Sequence, residues 1–161
     1  GVTETAILNP LRAAYDNGHW DKPGITSSSA AGNAATTLAY VDNVSKANAP
    51  TNPIALAQTL TSVDGQPVGD LSVIVKYTWY GDLNLDGVVN SDDFSRMADG
   101  DPGWTGGDLN YDGAVNADDW ALFDLGAAFS GGGNITSVPE PALGLLLVGF
   151  SLLSIRRRRS I

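Results

Sequence analysis

Asp82-Leu83-Asn84-Leu85-Asp86-Gly87-Val88-Val89-Asn90-Ser91-Asp92-Asp93 returns 26 residues later as Asp108-Leu109-Asn110-Tyr111-Asp112-Gly113-Ala114-Val115-Asn116-Ala117-Asp118-Asp119. Each copy carries an oxygen-bearing side chain at positions 1, 3, 5, 9 and 12 and a glycine at position 6. Oxygen donors at that spacing suit a hard cation. Glycine at the sixth position permits the sharp turn that brings the donors round, because a Cβ there obstructs the backbone dihedrals the turn needs. Position 7 (Val88, Ala114) contributes only its backbone carbonyl, which leaves its side chain free to vary. Position 8 (Val89, Val115) is apolar in both copies, as expected if the two loops pack side by side. Ten of the sixteen aspartates fall between Asp82 and Asp119, a density that repels itself unless cations neutralise it.

The spacing is that of the 12-residue EF-hand loop. It nominates Asp82, Asn84, Asp86, Val88, Asn90 and Asp93, with Asp108, Asn110, Asp112, Ala114, Asn116 and Asp119, as ligands of two Ca²⁺ ions. Position 12 is Asp rather than Glu in both copies, so the shorter carboxylate requires a tighter loop or a closer exiting helix. Helices are expected over Ser91 to Ala98 and Ala117 to about Phe129, where Phe94 and Met97, then Trp120 and Phe123, stand at i, i+3 spacing. No helix is expected to enter either loop. A duplicated loop with an exiting helix and no entering one resembles the type I dockerin module, over residues 82–130. That resemblance implies two Ca²⁺ ions, a small two-helix fold of near two-fold symmetry and docking onto a cohesin partner. In that family loop positions 10 and 11 help select the partner. Here they are Ser91-Asp92 and Ala117-Asp118, which differ between copies and are not the Ser/Thr pair common in cellulosomal dockerins. Calcium binding therefore carries over, while the partner stays open between a cohesin-like protein and another surface protein.

The C-terminus carries a second pattern. Pro139-Glu140-Pro141 precedes fourteen uncharged residues, Ala142 to Ile155, and then Arg156, Arg157, Arg158 and Arg159. A helix of that length spans roughly 21 Å, short of a ~30 Å hydrocarbon core. The arginine cluster belongs on the cytoplasmic side. The order of these three parts resembles the PEP-CTERM sorting signal of Gram-negative surface proteins. It implies transient retention in the inner membrane and processing near Pro-Glu-Pro by an exosortase. Ahead of it, Ser130-Gly131-Gly132-Gly133-Asn134 reads as a flexible linker.

Export fits the composition. The chain has no cysteine, which excludes disulfides and thiolate metal sites; stability outside the cell would then rest on bound calcium. The formal net charge is −9, and without the four terminal arginines five basic residues face eighteen acidic ones. Such a surface repels nucleic acid. With a sorting signal but no signal peptide at Gly1, the chain reads as the C-terminal piece of a longer polypeptide.

Residues 1–80 are less explicit. Asn9 as N-cap, Pro10 at the first helical position and Gly18 past the end frame a short helix with Leu11, Ala14 and Tyr15 on its apolar face. His19 to Gly24 reads as a turn, a second short element covers Ala35 to Val41, and 42–53 read as loop. Leu71 to Tyr80 is the clearest strand and runs directly into Asp82. Leu11 to Trp20 and Val73 to Asp82 resemble the small α+β region before dockerin-like pairs in repetitive surface proteins of planctomycete type.

The expected architecture is α+β. A small mixed region (1–80) closes a larger upstream domain. An all-α dockerin-like pair (81–130), a Gly-rich linker (131–137) and a sorting segment with a hydrophobic helix (138–161) follow. With one histidine and no cysteine, common nucleophile–base pairs cannot be assembled. With Glu4 and Glu140 as the only glutamates and most aspartates assigned to calcium, no glycosidase carboxylate pair is read. The fragment reads as a non-catalytic calcium-binding interaction or structural module of an exported surface protein. The alternative is the scaffold-attachment end of a polysaccharide-degrading enzyme, an O-glycosyl hydrolase whose catalytic domain lies upstream.

Overall fold

A computed structural model describes residues 4–131 apart from 46, 53, 57, 101 and 102. Helix α1 (Glu4–Tyr15) leads through a 3-10 turn at Asp16–Gly18 to a short α2 (Ser28–Ala31). Strands β1 (Thr36–Ser45), β2 (Ala55–Leu56), β3 (Ser62–Val63), β4 (Gln66–Pro67) and β5 (Val73–Trp79) follow. Then come α3 (Ser91–Asp99), a 3-10 turn at Trp104–Gly106 and α4 (Ala117–Ser130). The main sheet has the order β2-β1-β5. Its centre, β1, runs antiparallel to β5, from Thr36 opposite Trp79 to Asp42 opposite Val73, and parallel to β2. Strands β3 and β4 form a separate hairpin across Asp64-Gly65, both at positive φ, the turn chemistry that a two-residue hairpin loop favours.

The expected fold class is overturned. The molecule is mixed α/β, with a three-stranded sheet and four helices, and its N-terminal part is built mainly from strand. The duplicated loops and their helices are not an all-α pair standing apart from that region. Leu83, Leu85, Met97, Trp104, Leu109, Tyr111 and Phe123 share one buried cluster with Leu11, Tyr15, Trp20, Leu38, Tyr40 and Ile74. The physical reason lies at loop positions 2 and 4. Leu83 and Leu85, and Leu109 and Tyr111, are all buried, and two loop–helix units of some fifty residues are too small to bury such side chains between themselves.

Aromatic rings make the join. Tyr111 stacks on Trp104 at 6.1 Å and meets Tyr15 and Trp20 edge-on at 5.7 and 6.3 Å. Its hydroxyl donates to the Leu38 carbonyl of β1. Gly126 of α4 lies so close to the end of β5 that a Cβ there would stand 1.8 Å from the Tyr80 carbonyl oxygen.

Helix α1 begins at Glu4, so Pro10 sits inside it rather than at its start. Proline removes one N–H from the helical ladder, and the Pro10 carbonyl is used outside the helix, accepting from Ile25 N at 3.2 Å. The expected face survives: Leu11, Ala14 and Tyr15 are buried. The element read at Ala35 to Val41 is the N-terminal half of β1, which continues through residues read as loop to Ser45. Helices α3 and α4 match their expected spans within a residue or so. Met97 and Phe123 are buried, Trp120 is half-buried and Phe94 stays 54% exposed. The rest of the linker, the sorting motif (Pro139, Glu140, Pro141), the hydrophobic helix and Arg156, Arg157, Arg158 and Arg159 lie outside the described residues. Among the described residues no helix is long and apolar enough to cross a membrane.

Candidate calcium loops

The two loops fold as near copies of each other, with Asn116 Nδ2 to Asp112 Oδ2 at 3.4 Å present only in the second. At position 6, Gly87 and Gly113 take φ of 89° and 92°, as the sequence requires. At position 4, Leu85 and Tyr111 are also left-handed, at 64° and 63°. A non-glycine residue there is strained, and burial of both side chains in the shared core holds it. Each position-6 N–H donates to the position-1 carboxylate: Gly87 to Asp82 Oδ2 and Gly113 to Asp108 Oδ2, both at 3.1 Å.

Position 12 closes the loop from the helix. Asp93 Oδ1 accepts from Leu83 N at 2.9 Å and Asn84 N at 3.3 Å, and its Oδ2 accepts from Asn90 N at 3.0 Å. Asp119 repeats this with Leu109 N at 2.8 Å, Asn110 N at 3.3 Å and Asn116 N at 2.9 Å. The same aspartates complete capping boxes at the starts of α3 and α4, with Asn90 and Asn116 as N-caps. A capping box satisfies orphan N–H groups at both ends of the first turn. The short position-12 side chain is thereby accounted for: it sits as the third helical residue and reaches back to the start of its own loop.

Positions 3 and 5 turn toward each other. Asn84 Nδ2 donates to Asp86 Oδ2 at 2.9 Å, Asp86 N donates to Asn84 Oδ1 at 2.9 Å, and Val88 N donates to Asp86 Oδ1 at 2.9 Å. Asn110, Asp112 and Ala114 repeat all three bonds. Position 9 caps its helix, since Asn90 Oδ1 accepts from Asp92 N at 2.7 Å and Asn116 Oδ1 from Asp118 N at 2.9 Å. Among the described residues no three Asp, Glu, His or Cys side chains converge in an arrangement ready to hold a metal ion.

Within the loops one pair of atoms breaks the pattern of satisfied groups; outside them Trp20 Nε1, Thr37 Oγ1 and Trp79 Nε1 are also buried without a partner. Asp82 Oδ1 and Asp108 Oδ1 are buried without a hydrogen-bond partner. They are equivalent atoms of the two loops, at position 1, and no other carboxylate oxygen among the described residues is left so. Leaving a buried charged acceptor unmatched is costly. Burial pushes the Asp82 carboxyl up to about 6, against the pull of the Thr78 hydroxyl and with a further push from Asp93. Burial and then the Asp119 carboxylate push Asp108 up to about 6. Burial also raises Asp93. Asp112, on the open side, is lowered by the Ala114 N–H and the Asn110 amide.

These residues fit a hard divalent cation. The donors in reach are carboxylate, amide and carbonyl oxygens with no imidazole or sulfur, which suits Ca²⁺ rather than Zn²⁺ or copper. The unmatched position-1 oxygens offer a free lone pair inside each loop. Asp86 and Asp112 are exposed, so turning their carboxylates inward breaks only local bonds within the loop.

Several contributors escape a reading of the loops alone. Gly81 and Gly107, 26 residues apart, immediately precede the two loops. A Cβ on Gly81 would meet Phe123 of α4 at 2.7 Å, and one on Gly107 would meet Met97 of α3 at 2.9 Å. Each unit thus seats its helix on the other unit's leading glycine. The repeated glycine is the signal that marks this. Val89 and Val115 pack beside Gly81 and Gly107 of their own units. Thr78 donates its hydroxyl to Asp82 Oδ2, and Trp104 Nε1 donates to the Asp82 carbonyl at 3.2 Å. Lys76 binds the Leu85 carbonyl at 3.1 Å and pairs with Asp64 at 3.2 Å, while the Arg12 guanidinium lies beside Gly113. Ser91, Asp92, Ala117 and Asp118 are all exposed on the first turns of α3 and α4.

Comparison with protein-family models, curated proteins and solved structures finds no match to this chain.

Proposed function

We propose that this chain is a non-catalytic calcium-binding module that binds two Ca²⁺ ions, one in each loop, within an exported and surface-sorted bacterial protein. The observation that carries the reading is the pair of buried, unmatched oxygens, Asp82 Oδ1 and Asp108 Oδ1, at equivalent positions of two loops whose turn and capping bonds repeat. The loops are rooted in a mixed fold, so calcium acts here on the whole body: an ion in loop 1 draws on the end of β5, and one in loop 2 on the Tyr111 anchor to β1. The sorting role rests on Pro139-Glu140-Pro141, the apolar run and the terminal arginines. It brings with it an exosortase-type processing enzyme and a transient stay at the inner membrane.

A second reading has one observation in its favour. Ser91, Asp92, Ala117 and Asp118 are exposed beside the half-exposed Phe94, whose ring meets Trp120 at 5.5 Å. A cohesin-like partner gripping the two helix starts would use such a face, and the chain would then attach an upstream polysaccharide-degrading enzyme to a scaffold. Calcium titration of Asp86→Ala, Asp112→Ala and the double variant tests the first reading. Each single change is expected to remove one ion and the double change both; two ions bound by the double variant would refute the ligand set. Retention on immobilised cohesins, with and without chelator, tests the second.

A further inference from the structure

Loop 1 borders a cavity of about 290 Å³ that loop 2 does not share, lined by Leu56, Gln58, Leu60, Asn84, Asp86 and Arg96. Arg96 is the informative member. Among the described residues, Lys22 pairs with Asp16 and Asp21, and Lys76 pairs with Asp64. Arg96, like Arg12, has neither an ion pair nor a hydrogen bond among them, although the chain carries a formal charge of −9. Twenty-six residues on, where the repeat aligns, its counterpart is Leu122. The two units therefore agree at their loop ligands and differ at the one basic residue that faces this cavity.

We propose that the cavity binds the ring of an acidic sugar, a uronate, and does so only when calcium occupies loop 1; this rests on the calcium reading above. The volume lies at the lower end of small-ligand sites and suits a single ring rather than an extended chain. The guanidinium offers a planar fork for a carboxylate. The Gln58 amide provides both donor and acceptor for ring hydroxyls, and with its oxygen turned to calcium Asn84 would keep its amide N–H groups for the sugar. Leu60, half-buried, supplies an apolar face for ring C–H groups, while Leu56 is 2% exposed. Calcium dependence follows from charge. Asp82, Asp86 and Asp93 give loop 1 three negative charges, which repel an incoming carboxylate. One Ca²⁺ cuts that to a single negative charge, which Arg96 offsets, so the repulsion of an incoming carboxylate is removed.

The test is an amide-detected NMR titration of the full chain at saturating calcium, with free calcium held constant by electrode. The probes are methyl glucuronoside and methyl glucoside. Arg96 also lies in the last turn of α3, where any cation favours the helix end. Arg96→Lys keeps that role and removes only the fork. The glucuronoside is expected to shift resonances of residues 56–60, Asn84 and Arg96 with millimolar affinity, and the glucoside is not. Arg96→Lys should weaken binding about tenfold while both ions stay bound. Asp82→Asn should abolish it, and Asp108→Asn should leave it intact. Equal binding of the two sugars, undiminished binding by Arg96→Lys, or no shifts while two ions are bound would overturn the sugar site and leave the calcium reading standing. Failure to bind calcium at all would instead remove the calcium reading, and the sugar site with it.

Discussion

Replacing Asp82 with asparagine should move stability and calcium binding in opposite directions. Asp82 is fully buried, with Oδ2 bonded to Gly87 N and Thr78 and Oδ1 unmatched. Burial lifts its carboxyl from the ordinary 3.8 to about 6. The folded, chelated protein therefore holds more protons than the unfolded chain between those values. Its stability falls as pH climbs through that window and stays low above it. The difference corresponds to about 3 kcal/mol at neutral pH. Asparagine removes the charge and keeps an oxygen in the Oδ2 place that accepts from Gly87 N and the Thr78 hydroxyl, while its amide takes the unmatched Oδ1 place. In chelator at pH 7.5, Asp82→Asn should be more stable than the parent by up to about 3 kcal/mol, on the order of 10 °C in Tm. At pH 4 the gap should close. In millimolar calcium the order should reverse, because the variant keeps only one site. Thermal unfolding by circular dichroism under the three conditions reads all of this. An Asp82→Asn protein less stable than the parent in chelator at pH 7.5 would refute the reasoning, since the carboxylate would then be a structural acceptor.

Other consequences follow from the same geometry. Calcium binding at pH 6 should release about one proton in total, about half from each of Asp82 and Asp108, whose carboxyls both titrate near 6, and close to none at pH 8. Calorimetry in buffers of differing ionisation enthalpy measures it, and a release that does not change with pH would contradict the burial of these groups. Gly126→Ala forces a Cβ to 1.8 Å from the Tyr80 carbonyl oxygen, so α4 must lift off β5. A loss of about 3 kcal/mol in urea unfolding is expected, and a loss under 0.5 kcal/mol would show the contact to be loose. Asn43 is fully buried and bonds the Leu60 and Gly69 carbonyls and the Leu60 N–H at 2.7–2.9 Å. Asn43→Ala should cost about 3 kcal/mol on the same assay, and a change within experimental error would mean that water replaces all three bonds.

The sequence makes the loops legible and the body they belong to much less so. The turn glycines and exiting helices are local features, set by spacing within twelve residues, and they fold where expected. The architecture depends on where apolar side chains at positions 2 and 4 go. In a lone loop, Leu83, Leu85, Leu109 and Tyr111 read as spacers between ligands; only the partner surface of β1 and α1 reveals them as anchors. Strand β1 was half-hidden for a related reason. As the central strand it is buried along almost its whole length, so Thr36 to Ser45 shows no alternation of apolar and polar residues. Asp42 and Asn43 within it look like loop residues, although Asn43 satisfies its amide in the interior. Pro10 suggests a helix start, yet Ile7 and Leu8 ahead of it pack against the core and the helix runs back to Glu4 despite the missing N–H. The unmatched oxygens of Asp82 and Asp108 have no sequence signature beyond position 1 of the pattern. They emerge only once burial is known.

Isothermal titration of the chain with Ca²⁺ after chelator treatment tests the central claim most directly. Two ions per chain, falling to one in Asp82→Asn and one in Asp108→Asn, is the expected result. No binding at millimolar calcium, or two ions retained by both variants, would contradict it.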